Sequence, residues 1–124
     1  MLALAADLIF SARIRGAAQA AGVAAATVNR PDDLVARALA APPRLVLVDL
    51  DARGDIAGAI RRLKADPATA AVPVVAFVSH VREDAIAGAR EAGADRVMAR
   101  SAFVRELPAL LRRAAGGNEG APEP

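Results

Sequence analysis

The sequence predicts an α/β protein: one five-stranded parallel sheet, strand order 2-1-3-4-5, with helices on both faces. Three observations lead there. Short apolar runs alternate with longer amphipathic stretches five times along the chain. The two strongest runs, at 45–50 and 74–78, are apolar on both faces, as central parallel strands buried between helices must be. The five strand–helix units fill residues 1–115 without an obvious repeat, which implies right-handed crossovers in a single domain.

The elements follow in order. Residues 2–6 form a short, weak strand, and 9–21 have helical composition that stops at Gly22, a natural residue to end a helix. A second short strand at 23–28 is poor in large side chains. Pro31-Asp32-Asp33 then opens a helix, with proline early and acids in the first turn, running to about Ala40 before Pro42-Pro43. After the strand at 45–50, Gly54-Asp55 starts a helix with Ile56, Ile60 and Leu63 on one face and Arg61, Arg62 and Lys64 mostly off it. Pro73 precedes the strand at 74–78, a helix over about 82–91 ends at Gly93, and 95–99 form the last strand. Ser101 can cap a final helix that aligns Phe103, Leu107, Leu110 and Leu111. Residues 116–124 are rich in Gly and Pro and are expected to form a disordered tail.

Composition excludes several function classes. Apolar residues make up 55%, but alanine alone fills about a quarter of the positions, so Val, Leu, Ile and Ala must build the core. Tyr and Trp are absent and Phe occurs three times, which leaves no pocket for stacking an aromatic cofactor. There is no cysteine, hence no disulfide, thiol catalysis or thiolate metal site. One histidine, His80, cannot supply a typical zinc site and reads as a surface loop residue. The pI of 10.3 is inflated by the lack of titrating Tyr and Cys; the formal charge is only +2. Arginines are spread over every segment, and the basic stripe with aromatic platforms of a nucleic-acid binder is missing. The apolar start lacks a basic n-region and is interrupted by Asp7, and no run is long enough to span a bilayer. A soluble, cytoplasmic protein is expected, with no membrane and no nucleic acid among its partners.

In a sheet of this order, functional groups gather beyond the C-terminal ends of the strands. Those positions hold Asp7, then Asp49 with Asp51 close behind, then Ser79 and His80, then Arg100 and Ser101. A carboxylate ending the most apolar strand is the feature to explain, and Asp55 is better placed than Asp49 to cap the next helix.

The stretches LVLVDLDARGD, VPVVAFVS and EAGADRVMAR, in that order and spacing, resemble the receiver domain of bacterial two-component response regulators, a CheY-like, flavodoxin-like fold. The resemblance covers residues 1 to about 115. It implies a signal-transduction module and no enzyme. It makes Asp49 the equivalent of the phosphoacceptor, and Ser79 and Arg100 the equivalents of the groups that contact the phosphoryl. Mg²⁺ would be held by Asp7, Asp49 and Asp51, the last through its backbone carbonyl. Asp7 could also serve only to cap the first helix.

The departures from the family are as informative. Ala6 stands where the family carries the second acid of a pair, so Mg²⁺ binding should be weak. Arg100 replaces a lysine and, being longer and always charged, is expected to pair with Asp49 and fill the site. Ser101 replaces the following proline, His80 a very small residue, Arg53 a common loop proline, and Val97 the aromatic switch residue.

The chain therefore reads as an atypical or pseudo-receiver acting by protein–protein contact. The resemblance places its output surface on the fourth helix, fifth strand and fifth helix, within about 81–113. Arg82, Arg90, Arg96, Arg105 and Arg112 would make it electropositive, suited to an acidic partner. The alternative is a true receiver, phosphorylated on Asp49 by a histidine kinase in a phosphorelay. A lesser alternative is a small flavodoxin-like nucleotide or flavin binder. Against that one, the first strand is followed by DLIFSAR and not a Gly-rich phosphate loop. Absorbance above about 300 nm would reveal a flavin at once.

Overall fold

A computed structural model describes residues 1–80 and 82–120, with side chains to residue 115. The elements alternate as β1 (Leu2–Leu4), α1 (Leu8–Ala20), β2 (Ala26–Val28), α2 (Pro31–Ala40), β3 (Val46–Asp49), α3 (Ile56–Ala65), β4 (Val74–Val78), α4 (Glu83–Ala92), β5 (Arg96–Ala99) and α5 (Arg100–Gly120). All strand pairs are parallel, and the sheet order is β2-β1-β3-β4-β5. The expected topology is what forms.

Strand alternation divides the core into two layers. Val46, Val48, Val74, Ala76 and Val78 face one side and pack with Leu34 and Val35 of α2, Ile56 and Ile60 of α3, and Ala89 of α4. Leu45, Leu47, Val75 and Phe77 face the other side, against Phe10 and Ile14 of α1 and Phe103, Leu107 and Leu111 of α5. The three phenylalanines of the chain meet in this second layer: Phe77 stacks on Phe103 with centroids 4.2 Å apart, and Phe10 lies 5.2 Å from Phe77.

The central elements match the sequence expectation closely, whereas the edges are shorter. β1 stops at Leu4 and β2 begins only at Ala26. Thr27 and its neighbours are only half-buried, so less packing holds them in register. α4 ends as expected at Gly93, whose φ of 110° is left-handed; a Cβ there would also come within 2.9 Å of the Lys64 side chain. Ser101 does not precede the last helix: α5 already begins at Arg100, so the serine lies in its first turn. Of the tail expected from residue 116, α5 continues to Gly120, and residues 121–124 lie outside the described residues.

Opposite the functional edge, Lys64 ties three segments together. Its Nζ donates to the Val72 carbonyl (2.8 Å), the Ala70 carbonyl (3.3 Å) and Asp95 Oδ2 (2.8 Å). Asp95 Oδ2 also accepts the Val74 N–H at 2.7 Å, joining the starts of β4 and β5. Lys64→Met keeps the apolar stem but leaves these acceptors without their donor. A loss of about 1–3 kcal/mol in urea unfolding is expected; an unchanged midpoint would show that the network carries no stability.

Candidate functional site

Asp49 ends β3 in the alternation row of Leu45 and Leu47, so its carboxylate points toward the α1/α5 layer. It is only 1% exposed. Each oxygen accepts one backbone N–H: Oδ2 that of Ala6 at 2.9 Å, and Oδ1 that of Asp51 at 2.9 Å. Burial pushes its pKa above the ordinary aspartate value, although the two N–H donors and the more distant Arg100 charge oppose it; the nearby Asp51 charge adds to the rise.

Asp7 caps α1, accepting the Phe10 N–H on Oδ1 at 2.6 Å. Its Oδ2 accepts from Arg100 at 3.1 Å. The expected Arg100–Asp49 ion pair is therefore corrected: Arg100 pairs with Asp7. The reason lies in how the guanidinium packs, with its carbon 3.8 Å from the centroid of the Phe10 ring, one turn into the helix that Asp7 caps. A cation on an aromatic face is favourable, and this seat delivers it to the cap carboxylate. The Phe10 N–H first, then Arg100, hold the Asp7 carboxyl below its ordinary pKa.

Asp51 engages through its side chain, a role the sequence did not reveal. Its Oδ2 accepts both the Ser79 hydroxyl (2.6 Å) and the Ser79 N–H (2.9 Å), and Oδ1 accepts from Arg82 at 3.4 Å. Arg82 also approaches the Leu50 carbonyl at 3.5 Å. Burial would raise the Asp51 pKa, but the Ser79 and Arg82 bonds outweigh it and hold it low. Ser79 is thus bonded to Asp51 rather than facing an open acceptor site. Arg82, expected on the outer face, is exposed and also reaches Asp51.

The other sequence candidates fall outside the pocket. His80 is exposed, as expected of a loop residue. Arg53 lines a separate cleft between α2 and α3 with Arg30 and Arg62. Val97 is half-buried against the α2–α4 layer. Of the outer-face arginines, Arg90, Arg105 and Arg112 are exposed, whereas Arg96 pairs with Glu106 at 2.9 Å. Val81 is outside the described residues.

The carboxylates set a pH dependence. Asp7, Asp51 and Asp95 have lowered pKa values, so their stabilisation is present above the unfolded value of about 3.9 and lost as pH falls through the folded values. Asp49 has the opposite sign: its contribution is present below the unfolded value and lost as pH rises through the raised folded one. With three groups against one, the thermal midpoint is expected to fall between about pH 5 and pH 2. A flat or rising midpoint, followed by circular dichroism, would contradict these directions.

The carboxylates at this edge are engaged in ways that would weaken a divalent-ion site. Mg²⁺ requires near-octahedral oxygen ligands and binds through carboxylates that can turn toward it. Here Asp49 is buried and holds two N–H groups, and Asp7 is tied to a helix cap and a guanidinium; Ser79 and Arg82 take the Asp51 side chain and leave the backbone carbonyl expected to face the metal untouched. Position 6 offers only a methyl group. Among the described residues, no three ligating side chains are grouped to hold a metal. Nor, among them, is any helix long and apolar enough to cross a membrane.

No family model and no curated protein sequence matches the chain. Solved structures do. The receiver domain of a Pseudomonas aeruginosa sensor histidine kinase, with magnesium coordinated in its active-site cleft, superposes with a TM-score of 0.81 at 20% identity, covering 93% of this chain and 95% of that one. Vibrio cholerae chemotaxis protein CheY4 gives 0.78 at 14% identity, covering 91% and 95%. The receiver domain of NtrX from Brucella abortus gives 0.76 at 20% identity, covering 93% and 97%. The architecture of this chain is the response-regulator receiver fold.

Proposed function

We propose that this receiver fold is a signalling module that acts by binding a partner protein, with Asp49 kept as a structural carboxylate and not as a phosphoryl acceptor. One observation carries the reading: Asp49 is 1% exposed and each of its oxygens already accepts a backbone N–H. Phosphoryl transfer needs an attacking oxygen in line with the donor and a cation to neutralise the developing charge. A buried acceptor beside Ala6 and two guanidinium-paired aspartates is poorly set for either requirement. The partner surface is the face of α4, β5 and α5, where Arg90 and Arg112 are exposed and, among the described residues, have no ion-pair partner. An acidic partner suits it.

A second reading, phosphorylation of Asp49 by a histidine kinase, is favoured by the gathering of Asp7, Asp49, Asp51 and Ser79 at one sheet edge. Incubation with acetyl phosphate and Mg²⁺, followed by a phosphate-affinity gel, separates the two. No shifted band is expected. A shifted band that disappears in Asp49→Ala would overturn the proposal in favour of the second reading.

A further inference from the structure

Adjoining the acidic site, and sharing Ser79 and Arg100 with it, a cleft opens between the start of α1 and the start of α5. Phe10, Arg13, Ser79, Arg100, Ser101 and Arg105 line it, and no acidic side chain does. Arg100 is held by Asp7, but Arg13 and Arg105 have neither an ion pair nor a side-chain hydrogen bond among the described residues. The formal charge of the whole chain is +2, so three guanidinium groups around one cleft are a marked local excess. The α2–α3 cleft provides the contrast: its three arginines share the lining with Asp32 and Asp55, and Arg62 is paired with Asp32 at 3.1 Å. Beside the basic cleft, Leu8 and Ile9 are 85% and 86% exposed, the most exposed large apolar residues among the described residues. Ile9 lies one helical turn before Arg13 and so shares its face of α1.

We propose that this cleft binds a phosphate monoester, with Arg13, Arg105 and the Ser101 hydroxyl on the phosphate and Ile9 against an apolar part of the ligand. Two unpaired guanidinium groups balance a dianion, and their forked donors match phosphate oxygens. A hydroxyl adds a further donor, and the first turn of α5 adds a smaller positive contribution. The site is independent of the role of Asp49. The same chemistry could come from a small molecule or from a phosphorylated side chain of a protein.

The test is an amide NMR titration of the intact chain with phenyl phosphate, and separately with a phosphoserine pentapeptide, at constant ionic strength with EDTA present. Saturable shifts are expected at Arg13, Ser101 and Arg105. Binding should weaken about tenfold or more in the Arg13→Gln/Arg105→Gln variant and persist in Asp49→Asn. Tighter binding of phenyl phosphate would indicate a small molecule, and tighter binding of the peptide a phosphorylated segment; either supports the site. Non-saturating shifts shared equally with Arg30 and Arg53 would overturn it. So would loss of binding in Asp49→Asn, which would assign the phosphate to the acidic pocket instead.

Discussion

Replacing Phe77 by alanine is expected to lower folding stability by about 3–5 kcal/mol, among the largest single-residue effects in the molecule. Phe77 is fully buried in β4, a central strand. It stacks on Phe103 at 4.2 Å and 16° between planes and meets Phe10 at 5.2 Å, so it joins the sheet to both α1 and α5. The cluster contains every phenylalanine of a chain without Tyr or Trp. Its neighbours cannot readily collapse into the gap: Phe10 is held under the Arg100 guanidinium, and Phe103 is itself fully buried. The transfer cost therefore adds to that of a residual cavity. Because Arg100 rests on Phe10, the substitution should also loosen the Arg100–Asp7 contact, visible as shifts at those two residues. A loss below about 1 kcal/mol in urea unfolding would mean that the layer repacks freely, contrary to close packing.

The second large effect is a gain. Ala6→Asp combined with Arg100→Lys is expected to tighten Mg²⁺ binding by about 10–100-fold, a range typical of changes at metal-site ligands and their supporting groups. The Ala6 N–H is hydrogen-bonded to Asp49 Oδ2 at 2.9 Å, so a carboxylate at position 6 would stand beside Asp49 on an exposed backbone. Shortening Arg100 removes the guanidinium from Asp7 and from the Phe10 ring. Two aspartates then become able to turn toward a shared cation, which favours a hard divalent ion. If the variant and the native chain respond to Mg²⁺ alike, the internal pairing is not what governs metal binding here.

The fold was legible because its signals are local. Apolar runs at 45–50 and 74–78 mark the central strands, and Gly22 and Gly93 do mark helix ends. Alternation even predicts that Asp49 shares a face with Leu45 and Leu47. The site was legible only as a set of strand ends. Which cation meets which carboxylate depends on side-chain paths that cross between distant elements. Arg100 rests on the face of Phe10, which directs it to Asp7, 93 residues away in sequence. Asp51 was read for its carbonyl because its side chain lies in a turn, where spacing gives no direction; Ser79 and Arg82 supply that direction only in space. Arg82, read as part of the outer face, stands just before α4, and the turn back toward β3 brings it to the pocket. The unpaired basic cleft was not legible either, since Arg13 and Arg105 are 92 residues apart and neither lies in a charge run.

The central claim is that the carboxylates at this sheet edge are partnered by internal donors and not by a metal ion or a phosphoryl group. An amide NMR titration with Mg²⁺, followed by beryllofluoride as a phosphoryl mimic, on the native chain and on Asp49→Ala, tests it most directly. No saturable response at millimolar Mg²⁺, and none to beryllofluoride at Asp7, Asp49, Ser79 or Arg100, is the predicted result. Saturable shifts at those residues that vanish in Asp49→Ala would contradict it and establish a working phosphoryl switch.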